Sequence, residues 1–224
     1  PKSRWSLVGK SEYINGLINA HINLVSLSGN HMGDAGLNGL NETIDLFESF
    51  NIKTMGAGNF LQAYECKKIM IKEQTFGFLG FNNVKGSIGK AKENKIGIAW
   101  LDDDAMEAVK QCNDEVDNLI VLSNWGIEYK HIPRKIEENI AKNLSNNGAD
   151  IIIGDQAHWV QNYEMINDTH VSFGLGNYIF DQHWHENTTE GIINTYVFYK
   201  NKLITVDVIP VKLNKNGEIN VINS

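Results

Sequence analysis

The residues of this chain best suited to chemistry gather at four short corners. The first is Gly29-Asn30-His31 with Asp34 and Gly36, which follows the apolar run Ile22-Asn23-Leu24-Val25-Ser26-Leu27 and precedes a helical pattern. A strand that ends in small residues and then presents Asn, His and Asp before a helix reads as an active-site corner. The others lie at residues 124–129, 154–161 and 176–184, and carry Asn124, Glu128, Asp155, Gln156, His158, Gln161, Asn177 and Asp181. Imidazole and carboxylate are the groups of acid–base catalysis, and Glu128 and Asp155 are the nearest approach to a carboxylate pair. Asn177 suits a tight turn through its own backbone bonds. His183-Trp184-His185 has a metal-compatible His-x-His spacing, although aromatic packing in a surface loop is the commoner meaning. His21, His131 and His170 read as structural or exposed.

The elements that must position these corners follow from periodicity. Tyr13, Ile14, Leu17 and Ile18 give a helix over residues 11–21, and residues 22–28 a strand. Leu37, Leu40, Ile44, Phe47 and Phe50 then make an amphipathic helix over 36–50, and a short strand follows at 52–55. That strand, helix, strand unit predicts parallel neighbours with a right-handed crossover. Residues 59–63 read as a helical turn, 67–71 and 74–81 as a hairpin, 82–95 as a polar loop and 96–100 as a strand. Asp102-Asp103-Asp104 reads as the N-cap and negative first turn of a helix over 105–116. A second strand, helix, strand unit occupies residues 119–123, 133–145 and 149–153. From Trp159 onward the pattern turns to alternating strands at 160–166, 170–175, 192–199 and 203–211, then a polar tail. The predicted class is α/β, a layered sheet sandwich flanked by helices, in a single domain over residues 1–224. Ligands of such sheets bind beyond the carboxyl ends of the strands, where the corners after residues 28, 123 and 154 lie.

Composition narrows the function classes. A formal charge of -7 with scattered lysines argues against nucleic acid or an anionic membrane as the main partner. No apolar run is long enough to span a bilayer. Pro1-Lys2-Ser3-Arg4-Trp5 has no signal-peptide pattern. Cys66 and Cys112 match no metal-ligand spacing and read as two unpaired thiols. No phosphate-cradling Gly-Lys loop or Gly-x-Ser-x-Gly elbow occurs, and Gly86-Ser87-Ile88-Gly89-Lys90 reads as loop.

Asn30-His31-x-x-Asp34-x-Gly36 resembles the Asn-His-x-x-Asp-x-Gly motif of the bacterial capsule-synthesis CapA, or poly-gamma-glutamate biosynthesis, family, whose fold is similar to the calcineurin-like metallophosphoesterases. Trp125-Gly126-x-Glu128-Tyr129, Asn147-Gly148-Ala149-Asp150, Gly154-x-x-x-His158-x-x-Gln161 and residues 174–182 match further motifs in order. The resemblance implies a divalent metal, manganese, magnesium, calcium or zinc, held by Asn30 and His158. It implies His31 as acid, Asp34 as its positioning partner, and Asp181 at the same end of the sheet. Asn124 and Gln156 depart from it, standing where the family has imidazoles, and Ala157 replaces a Pro. Residues 1–10 show no counterpart of the family's first strand and its acidic groups, so the domain reads as N-terminally incomplete. The function implied is capsule or cell-surface polyanion biosynthesis, with partners in a polymer-synthesis complex and an extracytoplasmic or membrane-associated setting at the cell surface. Its chemistry would be metal-assisted hydrolysis or transfer on an anionic polymer or a small phosphate or acyl substrate. The other reading is an inactive relative that binds a glycan or polyanion through Asn124, Glu128, Gln156, Gln161 and Trp184, with Asn177 and Asp181 also counted as substrate-binding.

Overall fold

A computed structural model describes residues 6–222, so the leaderless reading of residues 1–5 lies outside the described residues. After a 3₁₀ turn at Ser11–Tyr13 come α1 (Ile14–Asn19) and β1 (Leu24–Ser26). The first helix is shorter than its apolar pattern predicts because the chain turns at His21, whose φ is 55°. The next helix, α2 (Gly36–Ser49), crosses to β2 (Lys53–Met55), which runs parallel to β1 with Leu24 opposite Lys53. Its apolar stripe of Leu40, Ile44 and Phe47 packs on Leu27 and Ile98. A two-residue strand, β3 (Ala57–Gly58), precedes α3 (Phe60–Ala63). A capping box starts that turn: Asn59 Oδ1 accepts from Gln62 N at 3.0 Å, and Gln62 Oε1 accepts from Asn59 N at 3.0 Å.

The central layer begins with the hairpin β4 (Lys67–Ile71) and β5 (Gln74–Asn82). After the polar loop, β6 (Gly97–Ile98) pairs with β3, and α4 (Asp103–Asn113) leads to β7 (Asn118–Asn124). Helix α5 (Lys135–Asn146) then crosses to β8 (Ile151–Asp155), followed by β9 (Tyr163–Ile166) and β10 (Thr169–Ser172). The sheet order is β4-β5-β7-β8-β10-β9, parallel from β5 to β10 and closed at each edge by an antiparallel hairpin partner. A second sheet, β11 (Glu190–Tyr199), β12 (Lys202–Leu213) and β13 (Ile219–Val221), is antiparallel. Residues predicted as a polar tail thus add a strand, because Leu213 and Ile219 pair across the Asn214–Glu218 turn.

Strand alternation builds the layers. Leu79, Phe81, Leu119, Val121, Ile152 and Val171 point to the face covered by Val109 of α4 and Leu144 of α5. Phe76, Ile120 and Ile151 have the opposite parity and meet Tyr196 and Phe198 of β11. The molecule is therefore the expected α/β sandwich of two sheets with helices outside.

Two local expectations are corrected. Cys66 and Cys112 are joined in a disulfide with Cα atoms 5.6 Å apart. Their 46-residue separation hid the fact that the chain just before β4 meets the end of α4, and Gly77 between them has no side chain to fill the space the sulfurs occupy. Asp102 occupies the N-cap of α4 without a side-chain cap bond. Lys90 takes it instead: Nζ donates to Asp102 Oδ2 at 2.7 Å and to Asp104. Burial alone would lower the Lys90 pKa, but the two carboxylates outweigh it and raise it well above its ordinary value.

Candidate functional site

A cleft of about 820 Å³ opens beyond the carboxyl ends of β7 and β8, between the corner after β1 and the segment after β10. At the first corner, three successive turns, Met32 N to Gly29 O, Asp34 N to His31 O and Gly36 N to Gly33 O, wind the chain into α2. They set His31 beside Asp34, whose Oδ2 accepts from His31 Nδ1 at 2.8 Å and from Leu7 N at 2.7 Å. A carboxylate only accepts, so Nδ1 carries the hydrogen and Nε2 is left to the cleft. The imidazole is 41% exposed and the carboxylate 8%. Burial pushes the Asp34 pKa up, but bonds from Leu7, His31 and Ser87 outweigh it and hold the carboxyl below its usual value. The arrangement is an ionised, buried carboxylate fixing the tautomer of a cleft-facing imidazole.

The polar loop holds this corner from behind. Ser87 N and Oγ both donate to Asn30 O, at 2.9 and 3.1 Å, and Ser87 Oγ accepts from Gly33 N at 3.0 Å. A Cβ on Gly86 would overlap the Asn30 carbonyl. Ser87 is therefore a positioning residue, and its Gly-Ser-x-Gly setting was the only sequence signal for it. Ser87→Ala should cost about 1 kcal/mol of stability in a thermal melt. In a polymer-turnover assay it should lower the rate more than substrate affinity, because it moves His31 and no substrate contact.

On the floor, Asn124 at the end of β7 lies opposite Asp155 at the end of β8. Asn124 Nδ2 donates to Asp155 Oδ1 at 2.6 Å and to Gln156 Oε1 at 3.3 Å, and Gln156 Nε2 donates to Glu128 Oε1 at 3.1 Å. Asn124 is 7% exposed and its Oδ1 has no partner among the described residues. Solvent reaches Asp155 through the cleft mouth, yet protein crowds its carboxylate from the other sides. Desolvation raises its pKa to about 6 against the Asn124 bond and the His158 ring, which pull it down. Such a group favours the folded state when protonated, so it opposes folding as pH rises from about 4 through 6.

His158 Nδ1 donates to Asn177 Oδ1 at 2.9 Å, an orientation fixed because Asn177 Nδ2 donates to Thr188 O at 2.8 Å. Its Nε2 lone pair is thereby turned from Asn177. Tyr129 stacks on the His158 ring at 5.7 Å, and Phe180 lies 5.3 Å from it on centroids. Trp184 meets Tyr129 edge-on at 4.7 Å. Tyr129, Gln156 and His158 have φ values of 62°, 81° and 58°. Left-handed backbone in non-glycine residues costs on the order of 1 kcal/mol or more each, and such strain collects at functional sites.

The cleft thus brings together Asn30, His31, Asn124, Glu128, Gln156, His158, Asn177 and Asp181, with Asp34 directly behind His31. Gln161 lies elsewhere: it is buried, and its Nε2 donates to Lys130 O at 2.9 Å beneath the loop after β7. Its predicted role as a substrate contact is replaced by a loop brace, with its backbone held by the bond of Gln161 N to Gly174 O and its side chain outside the cleft lining. Sequence reasoning gave no role to Tyr129, Phe180 or Leu7; the first two sat inside recognised motifs, and Leu7 carried no signal.

For the divalent metal that the resemblance implies, the donor set is poor. Among the described residues no three His, Cys, Asp or Glu side chains come together as metal ligands. Gln156 has both amide atoms engaged, Oε1 with Asn124 and Nε2 with Glu128, and Asn124 has its nitrogen engaged with Asp155 and Gln156, so of the two amides Asn124 Oδ1 alone is left over. These residues do not fit a divalent-metal centre.

The family described as bacterial capsule synthesis protein PGA_cap matches residues 2–182. Among curated relatives, the PGA biosynthesis protein CapA of Bacillus subtilis (strain 168) is 29% identical over 208 residues, covering 91% of this chain and 54% of the relative. The capsule biosynthesis protein CapA of Bacillus anthracis is 28% identical over 218 residues, covering 94% and 53%. The chain therefore spans about half the length of these relatives. A crystal structure of a hypothetical protein from Thermus thermophilus shares the fold with a TM-score of 0.56 and 13% identity, covering 90% of this chain and 81% of that one.

Proposed function

Because the chain belongs to the bacterial capsule synthesis protein family PGA_cap, we propose that it acts in the synthesis, release or remodelling of an anionic cell-surface polymer of the poly-gamma-glutamate type. The cleft would hydrolyse or transfer at an acyl or phosphate centre of that polymer or of a small precursor. The observation that carries this reading is His31, held through Nδ1 by buried Asp34 and open to the cleft through Nε2. As imidazolium, His31 gives its Nε2 proton to the leaving atom. Asp155, ionised above about pH 6, takes the proton of the attacking water or acceptor.

The cleft lining has carboxylates from Glu128, Asp155 and Asp181 and, among the described residues, no lysine or arginine. An anionic polymer therefore enters with its neutral backbone, its acid groups kept outside. Manganese, magnesium, calcium or zinc would find scattered oxygen and nitrogen donors such as Asn30, Asp155 and His158 but no grouped set among the described residues, and we expect dissociation constants on the order of 10⁻³ M for the hard ions. The Cys66–Cys112 disulfide supports an oxidising, extracytoplasmic setting. Among the described residues no helix is long and apolar enough to cross a membrane.

Poly-gamma-glutamate incubated with the protein, with and without a chelator, should change in chain length on size-exclusion chromatography to the same extent in both arms. An unchanged length with saturable polymer binding would favour the binding-module reading, which the amides at positions 124 and 156 and the Trp184 rim support. Neither turnover nor binding would overturn both.

A further inference from the structure

Resting on the reading of this cleft as the working site, we propose that it binds the primary ammonium group of an amine-bearing substrate, between the carboxylates of Asp155 and Glu128 and the rings of Tyr129 and Trp184. Three acceptors at its floor are left over. Asn124 is more than nine-tenths buried and its Oδ1 meets no donor among the described residues, although its Nδ2 is already shared between Asp155 and Gln156. Asp155 uses Oδ1 for Asn124 and keeps Oδ2. His158 donates Nδ1 to Asn177 and so keeps a lone pair on Nε2. A ligand that satisfies these acceptors must donate several bonds. An ammonium group has three N–H donors and no acceptor.

Charge and shape select the same group. With Glu128, Asp155 and Asp181 on the lining and no lysine or arginine among its described residues, a free carboxylate is repelled and a cation attracted. Trp184 is 59% exposed and stands edge-on to Tyr129, so the wall above the carboxylates is aromatic. Aromatic faces beside carboxylates attract organic cations. A divalent metal would use the same charge, but the ligand grouping it needs is missing among the described residues. In a transfer reaction, the amine is the acceptor: the ammonium first gives one proton to Asp155, which later returns it to solvent. The freed lone pair bonds to the acyl carbon, the bond from that carbon to the leaving group breaks, the leaving group takes a proton from the His31 imidazolium, and the second proton lost by nitrogen restores that imidazolium.

Ligand-observed NMR of the whole chain with n-butylamine, and with its neutral counterpart N-butylacetamide, tests the inference at neutral pH and low salt. The amine should bind saturably and the acetamide should not. Asp155→Asn and Glu128→Gln should each weaken amine binding about tenfold, the loss expected for a charge-assisted contact. If Asp155→Asn fails to fold, Glu128→Gln carries the test. His31→Ala should stop polymer turnover and leave amine binding in place, so the two readings fail separately. Equal binding of both probes, no binding of the amine, indifference to the carboxylate variants, or competitive displacement of the amine by manganese or zinc would each overturn the proposal.

Discussion

Replacing His31 by alanine should reduce polymer turnover by about 10²- to 10⁴-fold, the usual worth of a positioned general acid, equivalent to roughly 3–5 kcal/mol of barrier. The melting curve should barely move. His31 is 41% exposed and packs little apolar surface, and Asp34 keeps the Leu7 N–H at 2.7 Å when the imidazole goes. Loss of an ion pair with one exposed partner costs about 1 kcal/mol or less. Asp34→Asn separates positioning from chemistry. Its amide can still accept from Nδ1 but has no charge to stabilise an imidazolium, so the rate should fall while substrate affinity holds. Asp34 also sets an acid limit. Its lowered pKa means that its contribution to stability is present above the ordinary carboxylate value and is lost as pH falls through the lower folded one. A His31→Ala protein that turns over polymer normally would remove His31 from the chemistry, and one that melts far below the parent would make it a structural residue.

What the sequence made legible follows from where the physics is local. The strand-helix-strand units were readable because Leu40, Ile44 and Phe47 repeat at helical spacing, and because Leu119 to Val121 and Ile151 to Ile153 are unbroken apolar runs of doubly covered strands. The first corner was readable because a strand, small residues and an Asn-His-x-x-Asp run adjoin in the chain. Illegible were the features that depend on distant segments meeting. Ser87 reaches Asn30 across 57 positions, and Cys66 reaches Cys112 across 46. Gln161 sits in a motif, yet the loop around it, bonded at Gly174, directs its side chain to Lys130 O. The Asp102–Asp104 run illustrates competition: capping is a local interaction, and Lys90 from the preceding loop displaces it with a full charge.

Trp125→Ala should cost about 3–5 kcal/mol, the range for a large aromatic removed from a core, and should disable the cleft as well. Trp125 is fully buried and stacks on Phe173 at 5.9 Å, with Nε1 donating to Phe173 O at 3.0 Å. Gly154 of β8 lies so close to this pair that a Cβ there would overlap both the indole nitrogen and the Phe173 carbonyl. The ring thus ties β7 to the end of β10 across β8, directly beneath the floor. Asn124 precedes it and the Gly126–Tyr129 turn follows, with φ values of 94° at Gly126 and 62° at Tyr129. Once the ring is removed, that strained turn keeps its bonds from Tyr129 N to Ala157 O and from Gln161 to Lys130 O but loses the packed base beneath it, and the reach of Asn124 to Asp155 loosens. Trp125→Phe discriminates the two contributions: most apolar packing survives, while the Phe173 carbonyl loses its donor, a penalty of about 1–3 kcal/mol. Gly154→Ala should match the alanine variant in severity with the tryptophan still in the sequence, because its methyl group has nowhere to go. Denaturant melts of the three variants decide the matter. A Trp125→Ala protein within about 1 kcal/mol of the parent, in the range of ordinary surface changes, would show that the strand ends are held by something other than this ring.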